Sequence, residues 1–499
     1  MSLRVVHNGS HYTSAIADRV DEIAAALDVF WLLQAAVTIF VMQAGFALIE
    51  TGSVRMQGAR DIMMKNLLDA SIGLLLWWCV GAPISGAHGN GFIGADFTTD
   101  IESDGKKMAQ WLVGYMYAAS SVTIVSGAVA ERAKHSGYIM LVSVNAGLLY
   151  PVASHWLWAP NGWLSIHNPD AIFGGAMDFA GSGVVHLHGG VLALVACLLV
   201  GPRMGRFDER TREPVEMRSQ SSSFIMLGTF FLWVGWLGFN MGSTPGLSTR
   251  AAAATAAKVG MRTMLAGSAG CVAVTGIELC RSRSLSLPNT CFGILSGLVA
   301  ITAPCAVVSG WAAVLIGAVG GSLYYLISDL VLRRLKADDV VDAFAIHGVN
   351  GAWGLLAVGL FADGSSSPTA IGVLYGGDGQ LLLAALLAIA AITLWAAIGG
   401  GLCLVLARRL GVLRVSEDES RFGLDVLAAA RPARGRPARA RWAARRRADH
   451  VSSSAAVDLG GTDSSVHASQ EYRVRQGVIA EWSASRSSSA TRAARAAEV

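Results

Sequence analysis

Val29-Phe-Trp-Leu-Leu-Gln-Ala-Ala-Val-Thr-Ile-Phe-Val-Met-Gln-Ala-Gly-Phe-Ala-Leu-Ile-Glu50 decides the fold, because no charged side chain interrupts it before Glu50. A helix of about 20 apolar residues is long enough to cross a bilayer core of roughly 30 Å. Comparable runs recur at 66–85, 110–130, 137–158, 180–201, 222–244, 258–280, 289–308, 311–332, 341–362 and 380–407. The composition agrees: of 499 residues 53% are apolar and 15% charged, whereas a soluble chain carries about a quarter charged residues. A soluble bundle with many buried helices does not fit that balance. The expectation is an all-α integral membrane protein with eleven transmembrane helices.

An odd number of spans places the termini on opposite sides, and basic residues decide which. Loops after odd-numbered spans carry Arg55, Arg60, Arg132, Lys134, Arg203, Arg206, Arg210, Arg212, Arg218, Arg281, Arg283, Arg333, Arg334 and Lys336; the others carry chiefly Lys106, Lys107 and Arg250. The N-terminus is therefore expected outside and the C-terminus in the cytoplasm. Ten spans divide into an inverted 5+5 repeat, leaving one extra helix. Residues 1–28 read as a polar extracellular segment with no cleavable signal signature. Residues 29–426 hold the spans, and 427–499 form an Arg/Ala/Ser-rich cytoplasmic tail expected to be disordered. Contact of that basic tail with anionic lipid and a solvated tail without a partner both remain open. The seven cysteines lie in or beside apolar segments, as small packing residues would.

Charge inside a bilayer costs at least about 2.5–3.5 kcal/mol, so intramembrane polar groups need a reason. His186 lies in Asp178-Phe-Ala-Gly-Ser-Gly-Val-Val-His186-Leu-His188, and His347 in His347-Gly-Val-Asn-Gly-Ala-Trp-Gly354. They occupy corresponding spans of the two halves, so they can meet near the midplane; satisfied packing histidines are the alternative. Trp158, Asp178, Tyr117, Phe239 and Ser243 all fall toward the outer end. Aromatic faces there attract a cation by about 0.5–2 kcal/mol, but an interfacial aromatic belt also requires Trp and Tyr at this depth. Glu50, Asp329 and Asp342 are expected near cytoplasmic span ends, within reach of water or Arg/Lys. Lys258 and Arg262 are expected to snorkel, and Asp69 has no explanation from sequence. No phosphate-binding loop, nucleophile elbow or dinucleotide fingerprint is present. His186 and His188, two apart, face different sides of a helix and make no metal site. Neither enzymatic activity, cofactor, metal nor nucleic-acid partner is expected.

The two histidine stretches resemble the fifth- and tenth-helix signatures of the ammonium transporter and Rhesus superfamily. Gln43-Ala-Gly-Phe-Ala-Leu-Ile-Glu-Thr-Gly-Ser-Val-Arg55, Ser126-Gly-Ala-Val-Ala-Glu-Arg132 and Gly235-Trp-Leu-Gly-Phe-Asn-Met-Gly-Ser243 resemble further signatures, in order, over about 29–426. The resemblance implies a homotrimer in the plasma membrane with a pore through each subunit. It implies that Trp158 and Ser243 recruit ammonium, with methylammonium as an analogue, and that Asp178 supports them. Tyr117 and Phe239 would form the gate, and His186 and His347 the paired pore histidines. Ammonium would lose a proton outside, ammonia would cross, and the proton would return separately. Trp158 and Ser243 favour the transporter branch over Rhesus-type gas channels. Four positions depart from the family pattern. Tyr117 stands where Phe is usual and Val113 where an aromatic is expected. His188 replaces a smaller or apolar residue, and Arg262 a neutral one. The tail beginning Arg414-Val-Ser-Glu-Asp-Glu-Ser-Arg-Phe-Gly-Leu-Asp-Val426 lacks the usual His-Gly-Glu ending. An ammonium sensor with little transport and an electroneutral ammonia gas channel are the alternative readings.

Overall fold

The computed structural model describes residues 3–98, 101–367 and 369–422; the basic stretch 427–499 lies outside them. Two units are distinguished, Met1–Val415 and Ser416–Val499. In the second, the described element is a helix at Glu417–Phe422. The first is all-helical, with only isolated bridges of strand type among the described residues. Its rods are α1 (Leu3–Ser53), α2 (Met56–Ser85), α3 (Gly105–Ala128), α4 (His135–Trp158), α5 (Ser182–Val200) and α6 (Ser222–Met241). They continue as α7 (Arg250–Ser282), α8 (Leu287–Thr302), α9 (Gly310–Arg333), α10 (Phe344–Phe361) and α11 (Gln380–Arg409). Nine are long and apolar enough to cross a membrane among the described residues; α8 is a shorter apolar helix and α3 falls outside the nine. This is a multi-pass membrane protein. Large side chains on the rods face outward, among them Val37, Leu75, Trp78 and Leu402, each more than 60% exposed, as a lipid-facing surface requires.

The first rod is longer than the apolar run that the sequence marks. Helix α1 starts at Leu3 and runs unbroken through the apolar stretch, so the polar segment before Val29 continues the same helix. Alanine and charged residues there are as compatible with a helix as the apolar run is.

Wide turns interrupt four rods. Trp77–Gly81 in α2 and Asn145–Leu149 in α4 are π-helical, and each is followed by a proline, Pro83 and Pro151. Proline lacks an N–H and clashes with the carbonyl four residues back, which favours a wider turn before it. The other two, Ser182–Leu187 in α5 and Phe344–Val349 in α10, are the segments that hold His186 and His347. Single wide turns of this kind re-aim side chains and are frequent at functional sites.

Glycine sets the closest helix contacts. A Cβ at Gly228 of α6 would lie 2.6 Å from the Gly45 carbonyl oxygen of α1, and one at Gly351 of α10 would lie 2.5 Å from the Leu187 amide nitrogen of α5. Without a hydrophobic drive between helices in lipid, such small-residue contacts are what allow tight packing.

The charged groups gathered around Arg203 are paired. Arg203 binds Asp338 through Nε (2.8 Å) and a second nitrogen (2.9 Å) and reaches Glu131 at 2.9 Å. Glu131 also accepts from Arg55, and Asp338 from Arg206 at 3.1 Å. Arg132 donates to the carbonyls of Ala128, Gly201 and Asp338. Burial alone would push the Asp338 carboxyl up, but Arg203 and Arg132 outweigh it and hold it well below the ordinary carboxylate range. Arg414 joins the cluster's rim through the Val200 and Pro202 carbonyls, at 2.6 and 2.7 Å.

Two expectations are corrected here. Glu50 is not reached by water; it is 2% exposed and accepts from Asn66 (2.6 Å) and the Ser126 hydroxyl. Arg262 does not snorkel. It is buried and donates to the Cys305 and Ala306 carbonyls at 3.0 and 2.9 Å, satisfying groups left open where α8 ends. Lys258 is exposed, as expected. Asp69 is also explained, since the Tyr138 hydroxyl donates to it at 2.7 Å within the bundle.

Candidate functional site

The site begins where α5 starts. Gly181 has φ +105°, a conformation that a side chain would strain. This turn aims the next amides at Asp178. The Asp178 carboxylate accepts from Gly181, Gly183 and Val184 N–H at 3.0, 2.9 and 2.9 Å. The acid therefore caps the helix and does not face the cavity beside it. Its backbone carbonyl does the rest, accepting the Trp158 indole N–H at 2.7 Å and fixing the ring at the end of α4.

Trp158 faces Tyr117 of α3, ring centres 5.6 Å apart. Tyr117 in turn meets Phe239 of α6 edge-on at 4.6 Å. The Tyr117 hydroxyl is 2.8 Å from Ser243 Oγ and donates to the Phe239 carbonyl at 3.1 Å; Ser243 Oγ donates to that carbonyl at 3.0 Å. The hydroxyl that distinguishes Tyr from Phe at this position is thus consumed in tying α3 to α6. A cavity of about 440 Å³ opens over this group and is lined by Trp158, Tyr117, Ser243, Trp111, Asp96 and Lys107 among others. Val113 lines it too, offering a methyl surface where an aromatic would stack.

Below the cavity floor lies Phe239, with no exposed surface. Its ring centre is 5.5 Å from that of His186, which stacks on Trp236 at 5.0 Å and 17°. His186 and His347 meet Nδ1 to Nδ1 at 3.2 Å, their rings inclined by 21°. One of these nitrogens must donate and the other accept, so the pair holds one shared proton at that contact. Nε2 of His186 has no hydrogen-bond partner among the described residues. Phe46 of α1 lies 6.2 Å from His347, so the rings around the pair are otherwise apolar.

The structure therefore brings together Trp158, Tyr117, Ser243 and Phe239, and beyond them His186 and His347, while Asp178 acts from behind Trp158. His188 stays apart, with Nε2 2.8 Å from Asn145 Oδ1, as a packing residue. Sequence reading missed Trp236, although its place three residues before Phe239 puts both on one helix face. Its indole is locked by the Thr302 hydroxyl at 2.8 Å, leaving its face free to carry His186. The arrangement can attract a cation to an aromatic wall and offers, deeper in, a dry passage with one proton-sharing pair.

Comparison with known proteins follows the same lines. The model of the Ammonium Transporter Family matches residues 29–433. Ammonium transporter Amt2 of Archaeoglobus fulgidus is 39% identical over 416 residues, covering 80% of this chain and 86% of the relative. Ammonium transporter 1 member 3 of Solanum lycopersicum is 37% identical, covering 80% and 91%. Among solved structures, a protein described as a sensor Amt protein aligns with TM-score 0.75 and 30% identity, over 82% of this chain and 99% of that one. Mep2 of Candida albicans aligns with TM-score 0.71 and 27% identity, over 80% and 88%. With the match running from the first apolar stretch past the last helix, the chain belongs to the ammonium transporter family.

Proposed function

We propose that this protein carries ammonium nitrogen across the plasma membrane, recruiting the cation at the outer cavity and passing ammonia between the two histidines. In this reading all eleven rods span, the N-terminus lies outside and the C-terminus in the cytoplasm. Spans one to five and six to ten form an inverted repeat, and three copies assemble with one pore each. The unbroken line Trp158–Tyr117–Phe239–His186–His347 carries the proposal. Trp158 and Tyr117 hold the cation by their ring faces, with Ser243 as an acceptor. Phe239 closes the floor, so the charged form meets a low-dielectric barrier whose crossing is costly, whereas a neutral molecule crosses readily. Ammonium can shed a proton there; potassium cannot, and is excluded by the same barrier. The His186–His347 pair then offers ring nitrogens to the passing ammonia, and the proton returns separately, making net transport electrogenic.

The deciding experiment is reconstitution of the full chain in liposomes, with current and internal pH recorded during an ammonium pulse. A saturable current that potassium does not evoke is expected. A pH change without current would identify an electroneutral ammonia channel. A second reading is supported by the likeness to the sensor Amt protein and by the Tyr117 hydroxyl tied to Ser243 at the cavity floor: a sensor that binds ammonium and hardly conducts. Binding with neither signal would favour it.

A further inference from the structure

The cavity over Tyr117 contains charge that the aromatic site does not use. Among the described residues lining it, Asp96 and Lys107 are the charged ones. Asp96 lies on the loop between α2 and α3, its side chain 15% exposed. The loop is held firmly. The Asp96 amide donates to the Pro83 carbonyl at 3.1 Å, and His155 of α4 places its two ring nitrogens 2.8 Å from the Gly86 and Asn90 carbonyl oxygens. Gly86 leaves room for the acid, since a Cβ there would run into the Asp96 carboxylate.

The carboxylate is tied to one other side chain. His88, 80% exposed, donates its backbone N–H to both Asp96 oxygens (3.2 and 3.3 Å) and brings Nδ1 against Oδ1. The other titratable groups lining this space are Lys107 and Tyr117 from α3 and Tyr150 from α4. Lys107 repels an arriving cation and Asp96 opposes that repulsion.

Resting on the transport reading above, we propose that Asp96 is a second cation-attracting group of the outer cavity, held in place by its loop and by His88. Its carboxylate offsets the charge of Lys107 and raises the local concentration of ammonium beside Trp158. The cavity thus gathers its cation without involving the pore histidines.

The test is uptake of radiolabelled methylammonium by the full-length protein in cells or liposomes, with KM measured at several ionic strengths. Asp96→Asn is expected to raise KM about three- to tenfold and to flatten its dependence on ionic strength, as removal of one nearby attractive charge does. Asp96→Glu, which keeps the charge, should stay within about twofold of wild type. An Asp96→Asn protein at the cell surface with wild-type KM at every ionic strength would overturn the proposal. Wild-type protein that takes up no methylammonium would instead overturn the transport reading, and the role of Asp96 with it.

Discussion

The histidine pair in the pore and the ionic cluster around Arg203 are both buried polar groups in an apolar protein, yet they are completed in opposite ways. Arg203, Glu131 and Asp338 face one another with charge matched to charge, and carbonyls take up the donors of Arg132. His186 and His347 have one contact between them and aromatic rings around them, and Nε2 of His186 has no protein partner. Desolvated charge is tolerated when every hydrogen bond is made. An incompletely satisfied polar pair on the line from a cavity is what a passing molecule can use. The comparison separates polar residues that hold the helices together from polar residues left available for a substrate.

The contrast breaks first at the histidines. His347→Ala or His186→Ala should lower methylammonium uptake more than about tenfold or abolish its selectivity over potassium, while the protein still assembles, because only one shared hydrogen bond is lost to the fold. Unchanged uptake and selectivity in either variant would remove the pair from the mechanism. The opposite outcome is expected for the cluster. Asp338→Ala leaves Arg203 buried without its partner and should cost about 3–5 kcal/mol, read as a lowered melting temperature in detergent. Because the folded Asp338 carboxyl is held below the ordinary range, its contribution is full above about pH 4, where the unfolded carboxyl is ionised. It is lost only as pH falls through the lower folded value. The difference in stability between wild type and Asp338→Ala should therefore be constant from about pH 5 to 8; a difference that shrinks within that window would contradict the assignment.

Smaller effects sharpen the contrast. Trp158→Leu removes a ring face from the cavity and should raise the KM for methylammonium about three- to tenfold, most visibly at low concentration; an unaltered concentration dependence would count against recruitment by Trp158. Deletion of residues 427–499 should leave uptake unchanged, since composition gives that stretch no apolar core to contribute. Loss of uptake in a truncated protein that still reaches the membrane would assign it a role.

Much of the site could be read from the chain because its residues sit in recurrent motifs. The fifth and tenth helices single out His186 and His347 by their glycines, Phe239 and Ser243 lie in the quoted motif of the sixth, and Trp158 and Tyr117 come from their places on the spans and from the family resemblance. Three things were hidden. Trp236 looked like one more membrane aromatic until its stacking on His186 was visible. Asp178 was expected to support the recruiting residues, but not how: its carboxylate is occupied by the amides that begin α5, and its carbonyl holds Trp158. Glu50 was expected within reach of water or Arg/Lys and Arg262 to snorkel, from their positions near span ends, and the packing of Asn66 and Ser126 around the one and of the end of α8 around the other decided otherwise. In each case the missing information was which neighbour a side chain would meet, which depends on helices far apart in sequence.

Taken by itself, the sequence determined that the chain is helical and membrane-embedded, because apolar runs of span length leave the backbone no other way to satisfy its hydrogen bonds in lipid. It also determined the family, through ordered motifs whose spacing survives divergence. The tertiary structure alone decided that His186 and His347 meet Nδ1 to Nδ1, that Asp178 holds Trp158 through its backbone carbonyl, and that Asp96 lines the same cavity with His88 against it. Those contacts depend on rigid helices crossing at glycines and on wide turns that rotate single side chains by a fraction of a turn, and neither quantity is encoded in hydropathy.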